Sequence, residues 1–252
     1  MKNSALKPSI VLFDFDDTLS EHRLFSQRLV ITMARAMWTF HGGVVECWAK
    51  SVQVMMERLE ESYIARFCPP TGTQPFGYRE WLQEARTTAA RWLYEGVDLE
   101  APANARRLAL KGQKVALRRS VALFPRAREV VRGLQLRGFR LAIASGNDSE
   151  TLHHALVGCG LRTYFEKLYG ADLVDCAKEG PEFYAAIFAD LGLEPSQALV
   201  VDNDPKSVQW TCVAGARAIQ VRLRQVQPEP IAQEALAVFD NLGSLLTFPL
   251  LR

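Results

Sequence analysis

The chain has 252 residues, 48% of them apolar and 23% charged, with 16 Gly and 12 Pro; this composition excludes collagen-like, low-complexity and disordered classes. Lys and Arg number 30 against 28 Asp and Glu, a net charge of +2, too small to argue for nucleic acid or a membrane surface as partner. Five scattered cysteines without a C-x-x-C pair argue against a disulfide framework or zinc site and for a reducing compartment.

In chain order, Lys2 and Lys7 lead into a short apolar run, Ser9-Ile-Val-Leu-Phe13, that meets Asp14, Asp16 and Asp17. A run this short, closed by acids, reads neither as a signal peptide nor as a span of about 20 apolar residues. A cytoplasmic protein is expected. Residues 21–119 contain no strand-like run. Instead Phe25, Leu29, Met33, Met37 and Phe40 recur at helical spacing, then Val45, Trp48, Val52, Met55, Leu59 and Tyr63, then Trp81, Ala85, Thr88 and Trp92. That period predicts three or four helices forming a separate lobe, with a Pro- and Gly-containing loop at 67–77 between the second and third. Their Trp and Met residues read as packing. Residues 102–120 lack acids, and Arg107, Lys111, Lys114 and Arg118 share a helical face, which reads as a solvated basic surface. His22, His41, His153 and His154 show no ligand spacing and read as surface or capping residues.

Beyond residue 120 the rhythm changes. Helical patterns at 125–137, 149–157, 181–191 and 205–214 are each followed closely by glycine, and alternate with apolar runs at 140–144, 198–202 and 216–223. Uninterrupted apolar runs suit parallel strands covered on both faces, and strand alternating with helix gives a doubly wound, Rossmann-like α/β sheet. The expected organisation is an α/β core from residues 1–20 and 120–252 with an all-helical domain, 21–119, inserted.

Open parallel sheets bind ligands at the carboxyl ends of their strands. Those ends read Asp14-Phe-Asp16-Asp17-Thr18, Ser145-Gly146-Asn147 and Asp202-Asn203-Asp204. Carboxylates gathered at one edge repel each other unless a cation intervenes, and an oxygen donor set suits Mg²⁺ together with a substrate phosphate.

On these residues the chain resembles the haloacid dehalogenase-like hydrolase superfamily. Asp14-x-Asp16-x-Thr18-Leu19 resembles its first motif, Ser145 its second, Lys178 its third and Val200-Val-Asp202 its fourth, with Ala214-Gly215 as the small pair that follows. The resemblance covers about residues 8–20 and 121–246 and implies that the inserted lobe is a helical cap. It implies an Mg²⁺-dependent phosphatase acting on a small phosphorylated metabolite through an aspartyl-phosphate. In that scheme Asp14 is the nucleophile, Asp16 the acid and then the base, and Thr18 a support of the loop. Ser145, the Gly146 amide and Lys178 bind the phosphoryl group. Asp14, Asp202 and the backbone carbonyl of Asp16 hold Mg²⁺.

Three positions depart from the family pattern: Val201 replaces the glycine before the fourth-motif acid, Ser207 stands where a second acid is common, and Glu179 replaces the proline after the motif lysine. Asp204 either substitutes for the missing acid or caps the next helix. Alternative readings are a phosphomutase or phosphotransferase of the same superfamily, and a non-catalytic binding protein that keeps the fold. Asp16 argues against a dehalogenase, since the dehalogenating relatives lack an acid there. A monomer or homodimer is expected, without membrane or nucleic-acid partners.

Overall fold

Strands with both faces covered need apolar residues at every position, because successive side chains point to opposite sides. β1 (Ile10–Phe13) meets that demand in four consecutive buried residues. Val11 and Phe13 join one core cluster, with Leu141, Ile143, Leu199 and Val201. Ile10 and Leu12 join the opposite one, with Ala142, Ala144, Ala198 and Val200. The computed structural model describes residues 7–223 and 230–252; Lys2, and residues 1–6 and 224–229 of the predicted core, lie outside the described residues.

β1 sits inside a six-stranded, all-parallel sheet of order β3-β2-β1-β4-β5-β6. Its neighbours are β2 (Arg140–Ala144) and β4 (Ala198–Asp202), with Ile10 opposite both Arg140 and Ala198. β5 (Arg217–Val221) follows β4. Two short outer strands, β3 (Lys167–Tyr169) and β6 (Ala237–Phe239), complete the sheet and are absent from the sequence expectation. Strand order runs to one side of β1 and then to the other, so the ligand crevice of such a sheet lies at the carboxyl ends of β1, β2 and β4.

Five helices come between β1 and β2, and the first four form the inserted lobe: α1 (His22–His41), α2 (Val45–Phe67), α3 (Tyr78–Glu95) and α4 (Ala105–Ser120). They bury a separate apolar cluster around Met37, Trp48, Val52 and Leu93. The core helices are α5 (Ala127–Leu136), α6 (Ser149–Gly158), the single turn α7 (Ala171–Val174), α8 (Pro181–Leu191) and α9 (Pro205–Val213). Within residues 102–120, Lys114 is paired to Glu150 on α6 at 2.7 Å, and Arg118 Nε donates to His154 Nδ1 at 3.3 Å. Part of the expected solvated face is therefore a contact to α6. Gly158 takes part: a Cβ there would lie 2.0 Å from the Arg118 carbonyl oxygen, so only glycine permits this approach. No helix among the described residues is long and apolar enough to cross a membrane.

Candidate active site

The chain passes β1 and turns sharply. Asp17 adopts a left-handed backbone (φ 55°), a conformation that Asp tolerates better than most residues. Its N–H donates to the Ser20 carbonyl at 2.7 Å, while the amides of Leu19 and Ser20 donate back to Phe15 O. Phe15 is buried in the sheet core, and the strand-like alternation across Asp14-Phe15-Asp16 sends the two flanking carboxylates away from that core together. The Thr18 hydroxyl donates to Asn203 Oδ1 at 3.2 Å, tying this loop to the one after β4.

Lys178, in the segment before α8, brings the strand ends together. Its Nζ donates to Asp14 Oδ1 and to Asp202 Oδ2, each at 2.7 Å. The three side chains are only 9%, 7% and 1% exposed. Tyr184 OH donates to Asp202 Oδ2 at 3.2 Å, and the Asp204 amide to Asp202 Oδ1 at 3.0 Å. Burial pushes both carboxyls up against the opposing pull of Lys178. Burial pushes the Lys178 ammonium down, but Asp14 and Asp202 outweigh it and hold it well above its ordinary value. Two buried carboxylates thus share one cation, and the trio keeps a surplus negative charge whenever both acids are ionised.

Asp16 stands apart from that bridge. Asn147 Nδ2 donates to Asp16 Oδ2. His22 Nδ1 lies 3.4 Å from Asp16 Oδ1, which is buried with no well-aligned hydrogen bond. Ser145, buried at the end of β2, accepts the Asn147 amide on its Oγ at 3.3 Å. Gly146 is adjacent, and a Cβ there would sit at ordinary contact, 3.7 Å, from Lys178 Cβ. Tyr78 OH reaches the Gly146 carbonyl at 3.3 Å. The sequence-predicted residues Asp14, Asp16, Ser145, Gly146, Lys178 and Asp202 therefore gather at one sheet edge. No role for Tyr184 or Asn147 was legible in the sequence, although Asn147 directly follows the Ser145-Gly146 pair. His22 is exposed, as expected, and also lies against Asp16. Of the other histidines, His41 bonds the Tyr94 hydroxyl at 2.8 Å and His154 is buried beside Arg118.

Among the described residues, no three His, Cys, Asp or Glu side chains cluster as a metal site. The donors that converge are the carboxylates of Asp14 and Asp202. Two hard oxygen donors with surplus negative charge fit Mg²⁺, which binds proteins through one or two carboxylates and keeps several waters. Asp204 adds nothing to that donor set. It caps α9: Oδ1 accepts from the Lys206 amide at 3.3 Å, and Oδ2 from the Ser207 amide and hydroxyl, each at 2.9 Å. Asp204→Ala should cost about 1 kcal/mol of stability and leave the Mg²⁺ titration of activity where it was; a sharply raised Mg²⁺ requirement would reassign Asp204 to the metal. Glu179 also has a partner, accepting from Tyr63 OH on α2 at 2.8 Å.

The raised carboxyls make a pH prediction. Groups that bind protons more tightly folded than unfolded stabilise the fold at low pH, and that contribution is lost as pH rises above about 4 toward their folded values. His154, whose pKa burial lowers, works in the opposite sense up to about pH 6.5. The metal-free protein is therefore compared with Asp14→Asn, which removes one of the two raised carboxyls. Its melting temperature should fall more steeply between about pH 5 and 8 than that of the variant, and Mg²⁺ affinity should rise over the same range as the carboxyls deprotonate. Identical pH slopes in parent and variant would contradict the assignment.

A family model for haloacid dehalogenase-like hydrolases matches residues 8–208. The phosphoglycolate phosphatase of Rhodospirillum rubrum is 32% identical over 132 residues, 51% of this chain and 54% of that protein. Haloacetate dehalogenase H-2 of a Moraxella species is 30% identical over 125 residues, 50% and 51% of the two chains. The chain thus spans about half the length of these curated relatives. Among solved structures, the HAD-hydrolase YfnB of Bacillus subtilis, crystallised with magnesium, superposes with a TM-score of 0.62 at 15% identity, covering 96% of this chain and 98% of that one.

Proposed function

The chain belongs to the haloacid dehalogenase-like hydrolases, and on that footing we propose that it is a Mg²⁺-dependent phosphatase hydrolysing a small phosphorylated metabolite through an aspartyl-phosphate. One observation carries the reading: the two acids of Asp14-Phe-Asp16 have separate surroundings, Asp14 bridged to Asp202 by Lys178 and Asp16 held by Asn147 beside His22. One carboxylate is thereby kept for attack and the other for moving protons. Residues 21–119 act as the cap over a core formed by 1–20 and 120–252.

In the first step an Asp14 oxygen attacks phosphorus, the bond to the ester oxygen breaks, and Asp16 gives that oxygen its proton. In the second, Asp16 takes a proton from a water that attacks the acyl phosphate, releasing inorganic phosphate and restoring Asp14. Lys178, the Ser145 hydroxyl and the Gly146 amide meet the charge on the phosphoryl oxygens with donors already in position. Mg²⁺ would be held by Asp14, Asp202 and the Asp16 backbone carbonyl, and when bound it neutralises phosphoryl charge so that an anionic nucleophile can approach.

The similarity to a haloacetate dehalogenase raises a second chemistry. A departing halide needs no proton, whereas an alkoxide does, and Asp16 is the group that supplies one; this favours ester hydrolysis. Asp16→Asn should reduce kcat/KM, which reports the steps up to leaving-group departure, by about 10²–10⁴-fold for alkyl phosphates and less for p-nitrophenyl phosphate, whose leaving group needs less protonation. An equal loss of kcat/KM on both would reject the acid role. The function itself is tested by Mg²⁺-dependent phosphate release across a panel of phosphorylated metabolites and p-nitrophenyl phosphate. Absence of release from all of them would overturn it.

A further inference from the structure

A chamber of about 290 Å³ lies among α1, α2, α3 and α4, with Asp16, His22 and Asn147 on its wall. It is a cleft partly open to solvent, and it borders Asp16, the general acid of the proposed reaction. Its remaining wall is largely hydrocarbon and thioether, including Phe25, Met33, Met55, Trp81 and Leu117. The guanidinium on the wall, Arg86, is neutralised by Asp148 Oδ1 at 3.0 Å and Glu150 Oε2 at 2.9 Å. Of the other polar side chains in the lining, the Tyr78 and Thr151 hydroxyls already donate to Gly146 O and Asp148 Oδ2, which leaves Ser26 and Gln113. A carboxylate or polyhydroxy group entering the chamber would exchange water mainly for methyl and methylene surface, a large cost where donors are so few. An apolar group would gain by the same transfer.

We propose that the leaving group of the substrate is an uncharged, predominantly apolar alcohol that fills this chamber, so that the preferred substrates are phosphate monoesters of medium-length aliphatic or small aromatic alcohols. This inference rests on the phosphatase reading and specifies its substrate class. The geometry joins the two parts. The phosphoryl group sits at the strand ends with Asp14, and the ester oxygen lies near Asp16. The carbon chain runs from there between α1 and α3. Three methionines, Met33, Met55 and Met56, line the chamber, and their unbranched side chains adapt to chains of differing shape.

The test uses two homologous series on the intact Mg²⁺-loaded protein: kcat/KM for methyl to hexyl phosphate, and calorimetric binding of methyl to hexyl phosphonate, which cannot be hydrolysed. Leaving-group basicity barely changes along the alkyl series, so a slope reports the chamber. Both quantities are expected to improve about threefold to fourfold per added methylene, the worth of one buried CH₂. Phosphoglycolate should be a poorer substrate than hexyl phosphate. Ala89→Leu, which fills the chamber from α3, should reduce the hexyl-to-methyl ratio in both series, with its thermal melt reporting that it folds. Turnover with flat slopes, or with phosphoglycolate preferred, would overturn the substrate class and leave the phosphatase standing. A binding slope without turnover of any ester would overturn the phosphatase reading and keep the apolar chamber. A flat binding series without turnover would overturn both.

Discussion

Asp14→Asn is expected to reduce phosphate release by about 10⁵-fold or more, the scale on which loss of a covalent nucleophile registers, while leaving the protein at least as stable as its parent. The amide has the shape of the carboxylate but no nucleophilic charge, so no acyl phosphate forms. Stability follows from the trio. With both acids ionised, Asp14 and Asp202 compete for the single Lys178 ammonium, and burial penalises each. Removing one charge leaves Lys178 and Asp202 as a balanced pair and relieves a buried, partly compensated anion. A melting temperature equal to or above the parent's, with activity gone, is the expected pair of results. Near-normal turnover would mean that another residue attacks phosphorus.

Lys178→Met should have the opposite effect on stability and a similar direction in activity. Methionine keeps much of the bulk of lysine but leaves two buried carboxylates facing each other with no cation. Breaking a buried charge pair by removing one partner costs about 3–5 kcal/mol, and at low pH both acids can protonate to escape it. The destabilisation measured by denaturant in metal-free protein should therefore grow as pH rises through neutrality and shrink when Mg²⁺ is added. A loss independent of both pH and Mg²⁺ would mean that Lys178 contributes packing rather than charge. Activity should fall by about 10²–10³-fold, as expected for a donor aimed at transition-state charge.

The sheet was legible wherever its strands are central. β1, β2, β4 and β5 run four or five residues with both faces buried, so their sequences are mostly apolar, with polar residues chiefly at the strand ends and Gln220 within β5. β3 and β6 have three residues each, too few for any period to be read. The site residues at the strand ends were legible because they follow those runs directly. Their partners were not: Tyr184 meets Asp202 from α8 only after the chain folds back, and His22 meets Asp16 only because Asp17 reverses the backbone between them. The apolar stripes of the helices carry a subtler ambiguity. Met37 and Trp48 are packed core, as the spacing implies, whereas Met55, buried in the same cluster, and Trp81 also present surface to the chamber. A helical period gives the face of a residue, and only the mutual placement of four helices decides whether that face closes or leaves a space.

The central claim is covalent: the phosphoryl group passes through Asp14. It is tested most directly by acid-quenching the Mg²⁺-loaded protein during turnover of p-nitrophenyl phosphate, digesting it, and locating phosphate by mass spectrometry. The parent should carry an acyl phosphate on the peptide containing Asp14. Asp16→Asn should carry more, because with this leaving group the first step is spared while water lacks its base. Phosphate on a different residue, or turnover with no phosphopeptide in either protein, would contradict the claim.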